Sequence, residues 1–167
     1  GGTHKEDLEH GMKAAAMGGV TGIFEMPNTN PLTTTPEALQ DKLDRASKGA
    51  WCDYAFYFGG TAQNAKNLSE WENLPGVCGV KIFMGSSTGD LLSATDDEVL
   101  AVLSNGKRVV AAHAEDEMMM IENKKNILGD STDVAMHHIW RSKESCLSAT
   151  TRLVTLARKA GRRVHVL

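Results

Sequence analysis

The chain has 167 residues, 41% of them hydrophobic and 23% charged, with a formal net charge of -3. That length supports one domain with a real core, burying roughly 70% of the surface of its unfolded chain, and the charge balance excludes the basic field that nucleic acid or anionic lipid requires. Apolar runs such as Val109 to Ala112 and Ala14 to Met17 fall far short of the roughly 20 residues of a membrane span, which leaves small neutral or mildly charged molecules as the expected partners.

The first pattern, Thr3 to Gly18, reads as a helix with Thr3 as N-cap, Glu6 completing a capping box and Gly18-Gly19 as its stop. Val20 to Met26 is β-branched and apolar, a strand ended by Pro27-Asn28-Thr29. Thr35 caps a second helix with Pro36 at its first position and an amphipathic run from Ala38 to Ala46. Cys52 to Phe58 is the next strand, stopped at Gly59-Gly60, and a short helix around Gln63 to Trp71 follows it. Val77 to Met84 is a nearly continuous apolar strand containing one lysine, Lys81, and it leads into the loop Gly85 to Gly89. Asp96 to Leu103 is helical, Lys107 to Ala112 is a buried strand ending in His113-Ala114-Glu115-Asp116, and a helix near Glu115 to Lys125 carries Met118-Met119-Met120 as packing residues. Asn126 to Ser142 has no clean period. Lys143 to Ala160 is a long amphipathic helix stopped by Gly161, and a last strand begins at Arg163.

Strand and helix alternate strictly, and the strands are apolar on both faces, as expected of a parallel sheet covered by helices. Alternation alone leaves two architectures open, a doubly wound sheet and a (β/α)8 barrel. No GxGxxG follows any strand, and the Gly85 to Gly89 loop lacks the GK[ST] of a phosphate loop, which disfavours a nucleotide-binding domain. In a barrel, polar residues at strand C-termini face the active site, and here those residues are Asn28, Lys81 and His113. Cys52, Cys78 and Cys146 are odd in number and widely spaced, without a CxxC, so neither a disulfide framework nor a cysteine zinc site is expected and a reducing cytoplasm fits. The chain opens on Gly1-Gly2 without a Met and stops inside a strand pattern at Val164-His165-Val166-Leu167, so both ends are expected to be cut from a longer protein.

Each candidate has a plain and a chemical reading. An ammonium inside an apolar strand is penalised by desolvation; Lys81 either snorkels out of the strand end or is a neutral amine able to take up carbon dioxide as a carbamate. His113 is either a satisfied core histidine or a metal ligand aimed into a barrel mouth. Asn28 is either a turn residue after Pro27 or a substrate contact. His4, His10, His137 and His138 have no ligand spacing and are taken as surface residues or neighbours of a site.

The words Gly19-Val20-Thr21, Glu25-Met26-Pro27-Asn28-Thr29, Gly79-Val80-Lys81-Ile82-Phe83 and Ala112-His113-Ala114-Glu115-Asp116, in that order, resemble the dihydroorotase branch of the amidohydrolase superfamily over essentially the whole chain. The resemblance implies an incomplete catalytic barrel domain over residues 1–167, about strands 2 to 6 of a (β/α)8 TIM-type barrel, with the first and last strands absent. It implies a binuclear Zn2+ site in which a carboxylated Lys81 on the fourth strand bridges the ions and His113 on the fifth binds one of them. The HxHxR word before Gly1, the sixth-strand histidine beyond Leu167 and a later aspartate are missing, and His165 is a strand residue beside the site rather than a substitute. Asn28 is implied to hold the substrate carboxylate. Glu25 departs from the aspartate common before Met-Pro-Asn, at a position that is not a ligand. The implied reaction is the reversible cyclisation of N-carbamoyl-L-aspartate to L-dihydroorotate in pyrimidine biosynthesis, by a full-length parent; this chain alone is expected to be inactive, with no catalytic residue of its own. Alternatives are an allantoinase or dihydropyrimidinase-like amidase, and a non-catalytic homologue acting as a partner subunit. Homo-oligomerisation is left open.

Overall fold

In the computed structural model, which describes residues 2–85 and 91–167, five strands form one sheet: β1 (Gly22–Glu25), β2 (Asp53–Gly59), β3 (Val77–Phe83), β4 (Val110–His113) and β5 (Val164–Val166). Every neighbouring pair is parallel and the spatial order is the chain order, β1 to β5. A doubly wound sheet reverses its strand order at a switch point, and this one never does. The arrangement is therefore that of part of a (β/α)8 barrel.

The intervening helices are α1 (Leu8–Met17), α2 (Pro36–Ala46), α3 (Leu68–Trp71), α4 (Asp96–Leu103), α5 (Glu117–Asn123), α6 (His137–Trp140) and α7 (Lys143–Ala160). Several sequence signals act as expected. Thr35 accepts from the Ala38 amide at 3.3 Å with Pro36 in the first turn, and Gly161 ends α7 at φ 64°, a left-handed geometry that costs glycine nothing.

Others are corrected. The first helix starts at Leu8 rather than Thr3, because Asp7 caps it by accepting from the His10 amide at 2.8 Å. An aspartate nearer the apolar run outcompetes the more distant threonine. The stretch without a period holds a 3-10 turn (Val134–Met136) and α6, elements too short to show a repeat. Of the three methionines only Met120 packs inside, while Met118 is 72% exposed. The loop 85–89 lies, after Gly85, outside the described residues.

Register decides which face each side chain takes. Phe83 pairs with His113, Lys81 with Ala111, Gly59 with Lys81 and Ala111 with His165. Because side chains alternate along a strand, Lys81, Phe83, Ala111, His113 and His165 share one face. The opposite residues, among them Phe56, Phe58, Val80, Ile82, Val110 and Ala112, form the core with Leu39, Val99, Val102, Ala149 and Leu153 from the helices. The sheet thus has a helix-packed outer face, which carries the apolar burial, and an inner face that carries the polar residues.

The N-terminal end of the sheet is fastened by a buried ion pair. Glu72, just after α3, accepts from Arg162 Nη2 at 2.6 Å, from the Arg108 amide at 3.2 Å and from the Lys107 amide. Arg162 also donates to the carbonyls of Arg108 and Asn105, each at 2.7 Å. Gly106 beside it has φ 97°, and a Cβ there would strike the Glu72 carboxylate. Among the described residues no helix is long and apolar enough to cross a membrane.

Candidate active site

Asn28, Lys81 and His113 all lie towards the C-terminal ends of their strands, the end at which barrel enzymes build their sites. Asn28 sits in the loop after β1. That loop is closed by the Thr33 amide donating to Pro27 O at 3.0 Å, and it is docked on β2 by the Gly59 amide donating to Thr33 O at 2.8 Å. Asn64 ties the same corner, its Nδ2 donating to Gly59 O at 2.8 Å and Thr34 O at 3.1 Å. From below, Lys42 of α2 pairs with Glu25 at 2.7 Å and donates to Met26 O at 3.1 Å. The half-buried Asn28 is thus carried on a rigid hook between two strand ends.

Lys81 is 2% exposed, which overturns the snorkelling reading. Its Nζ donates to Ile82 O at 3.1 Å and lies 4.1 Å from the centre of the Phe83 ring. Among the described residues no carboxylate pairs with it. Burial pushes its pKa down to about 8, so near neutral pH part of the population is free amine. A buried cation without a counter-charge is costly, and such groups concentrate at functional sites.

A pH dependence follows. Between about pH 8 and the ordinary lysine value of 10.5 the unfolded chain keeps a proton that the folded chain has released, so stability rises with pH across that window. The rise is about 1.4 kcal/mol per pH unit at most. Urea midpoints at both ends of the window should move apart in the metal-free chain and stay together, as far as this residue contributes, in Lys81→Met. Equal movement in the two proteins would mean that Lys81 is not desolvated.

His113 closes β4 with its side chain 28% exposed, so it is not a core histidine. Its Nε2 lies 2.5 Å from Glu115 Oε2, and Glu115 is held by Arg141, whose Nε donates to Oε1 at 3.1 Å and whose Nη2 donates to Oε2. Burial raises the Glu115 pKa, but the Arg141 guanidinium and His113 outweigh it and hold the carboxyl below its ordinary range. Beside this group lies a cavity of about 530 Å3 lined by His113, Glu115, His137, Arg141, Cys146 and Leu167. Asp116 accepts from Ser148 Oγ at 2.8 Å and Arg152 Nη1 at 3.0 Å, which pins the loop after β4 to α7. Gly85 lets β3 end directly against that loop; a Cβ there would lie 2.7 Å from Glu115 O.

Sequence reading missed Glu115 and Arg141. Glu115 is two residues from His113 and stood in a recognised word, whereas Arg141 comes from the stretch without a period and reaches the site only through the fold. His165 lies on the inner face in the row of Lys81 and Ala111, beside the site.

The chain is 36% identical over 130 residues to a dihydroorotase of Methanosarcina mazei, covering 77% of this chain and 28% of that protein. It is 39% identical over 119 residues to an allantoinase of Arabidopsis thaliana, covering 67% of this chain and 24% of the relative. Its fold matches the crystallised L-hydantoinase (dihydropyrimidinase) from Arthrobacter aurescens with a TM-score of 0.85 and 28% identity, over 96% of this chain and 36% of that one. The chain belongs to the cyclic amidohydrolases. No family model matches it. The chain spans 28% of the length of the dihydroorotase and 36% of that of the hydantoinase.

This family resemblance implies a metal pair, and the inner face fits part of one. Lys81 offers an amine that is partly neutral and has no carboxylate to satisfy among the described residues, and His113 offers an imidazole at a strand end. Among the described residues no three His, Cys, Asp or Glu side chains come together as a metal cage. A catalytic zinc takes three protein ligands and a water, so further ligands have to come from elsewhere than these two residues.

Proposed function

We propose that this chain forms part of a zinc-dependent cyclic amide hydrolase that catalyses the reversible ring closure of N-carbamoyl-L-aspartate to L-dihydroorotate, in the cytoplasm. The observation that supports this best is Lys81, buried without a carboxylate among the described residues and on the same face as the strand-end His113. Lys81, as a carbamate, and His113 would be the residues of this chain that hold the metal ions. When bound, the metals supply a water acidified to near neutral pH and polarisation of the ring carbonyl. Asn28, on its braced loop, orients the substrate by donating a hydrogen bond to its carboxylate. The apolar wall beside Lys81, formed by Phe83 and Ala111, keeps bulk water from the amine. With only Lys81 and His113 as donors among the described residues, this chain alone is expected to be inactive and to bind zinc weakly.

Allantoin and hydantoin-type rings are the competing substrates, supported by the allantoinase and L-hydantoinase relatives. The test is to supply the full-length zinc-loaded protein with dihydroorotate, allantoin, hydantoin and dihydrouracil and compare kcat/KM. Dihydroorotate should lead, and Asn28→Ala should lower its kcat/KM by on the order of 10-fold, the worth of one hydrogen bond to a charged group. Preference for allantoin or dihydrouracil would reassign the substrate, and no turnover of any ring would support a non-catalytic homologue.

A further inference from the structure

We propose that Glu115, locked by Arg141, is a positioning residue that fixes the ring and tautomer of His113 so that Nδ1 is the nitrogen offered to a metal ion. The inference rests on the metal-centre reading above.

A carboxylate only accepts hydrogen bonds, so the 2.5 Å contact between His113 Nε2 and Glu115 Oε2 places the imidazole proton on Nε2. Arg141 Nη2 also lies 3.4 Å from Nε2, where as a donor it could only use Nε2 as an acceptor, but it already donates to Glu115 Oε2, and the much shorter contact of Nε2 with an oxygen that only accepts decides for the proton on Nε2. With Nε2 carrying the proton, the lone pair left on the ring is at Nδ1.

The carboxylate cannot rotate away from this task. Both of its oxygens are engaged by the Arg141 fork, a planar bidentate geometry that sets direction as well as charge. Arg141 is itself placed by the turn between α6 and α7, with its guanidinium carbon 5.2 Å from the centre of the Trp140 ring. The fold therefore runs from that turn through Arg141 and Glu115 to the histidine. An outer carboxylate that holds a ligand histidine in this way raises its basicity, and its loss typically weakens metal binding 10- to 100-fold.

A merely structural Glu115–Arg141 pair would leave the tautomer indifferent to both residues. Ring 15N shifts of the 15N-histidine-labelled chain, with His113 assigned by the signal lost in His113→Gln, should show Nε2 protonated and Nδ1 bare when the imidazole is neutral. Glu115→Gln and Arg141→Lys should each bring His113 towards a mixture of tautomers. In the full-length protein the same substitutions should weaken zinc binding roughly 10- to 100-fold, measured by competition with a chelator. A proton on Nδ1 in the unaltered chain, or a tautomer unmoved by both substitutions, would overturn the clamp. A shifted tautomer with unchanged zinc affinity would overturn its positioning role. If the full-length protein binds no zinc while the tautomer result holds, the metal-centre reading fails and the orienting contact alone survives.

Discussion

Replacing Lys81 with alanine in the full-length protein should abolish binuclear zinc binding and lower dihydroorotate turnover by on the order of 1,000-fold, equivalent to about 4 kcal/mol of transition-state stabilisation. Lys81 is the one residue of the candidate site whose burial has no charged partner among the described residues: it donates to the carbonyl of Ile82 and lies over the ring of Phe83. A structural lysine would be expected to have a carboxylate, as Lys42 has Glu25 at 2.7 Å. The contrast between these two buried lysines, Lys42 on α2 and Lys81 on β3, sets a bracing role apart from a chemical one. Short carboxylic acids should partly restore the alanine variant by standing in for the carbamate. Full activity without any acid would remove Lys81 from the mechanism.

The largest stability effect is expected at the other end of the sheet. Glu72→Leu leaves the guanidinium of Arg162 buried without its partner and takes the acceptor from the amides of Lys107 and Arg108. Breaking a buried pair in this way costs about 3–5 kcal/mol, a large share of the roughly 5–15 kcal/mol that holds a domain folded. Urea unfolding should show the loss as a lowered midpoint. Adding Arg162→Met to Glu72→Leu should recover much of it, since an apolar pair leaves no stranded charge. A loss below about 1 kcal/mol for the single change would make the pair equivalent to a surface salt bridge, contrary to its burial.

The two ends of the sheet were not equally legible in the sequence. Alternating strands and helices, and the three polar residues at strand ends, are local patterns, and they led to Asn28, Lys81 and His113 without any contact information. The choice between barrel and doubly wound sheet is different, because it depends on which strands are neighbours; the spatial order β1 to β5 supplies it. The Glu72–Arg162 pair joins residues 90 positions apart, and Arg141 reaches Glu115 across 26, distances over which no periodicity carries information. At the first helix the error was one of competition: Thr3 with Glu6 satisfies a capping-box pattern, but Asp7 stands next to the first apolar residue and makes the bond. Local rules nominate residues, and the fold selects among them.

The proposed carbamate on Lys81 can be observed directly. Full-length protein loaded with zinc in 13C-bicarbonate should show a carbamate carbon resonance that is lost in Lys81→Ala and fades when the metal is chelated, because the carbamate is labile unless metals hold it. A zinc-loaded, active protein with no such resonance would contradict it.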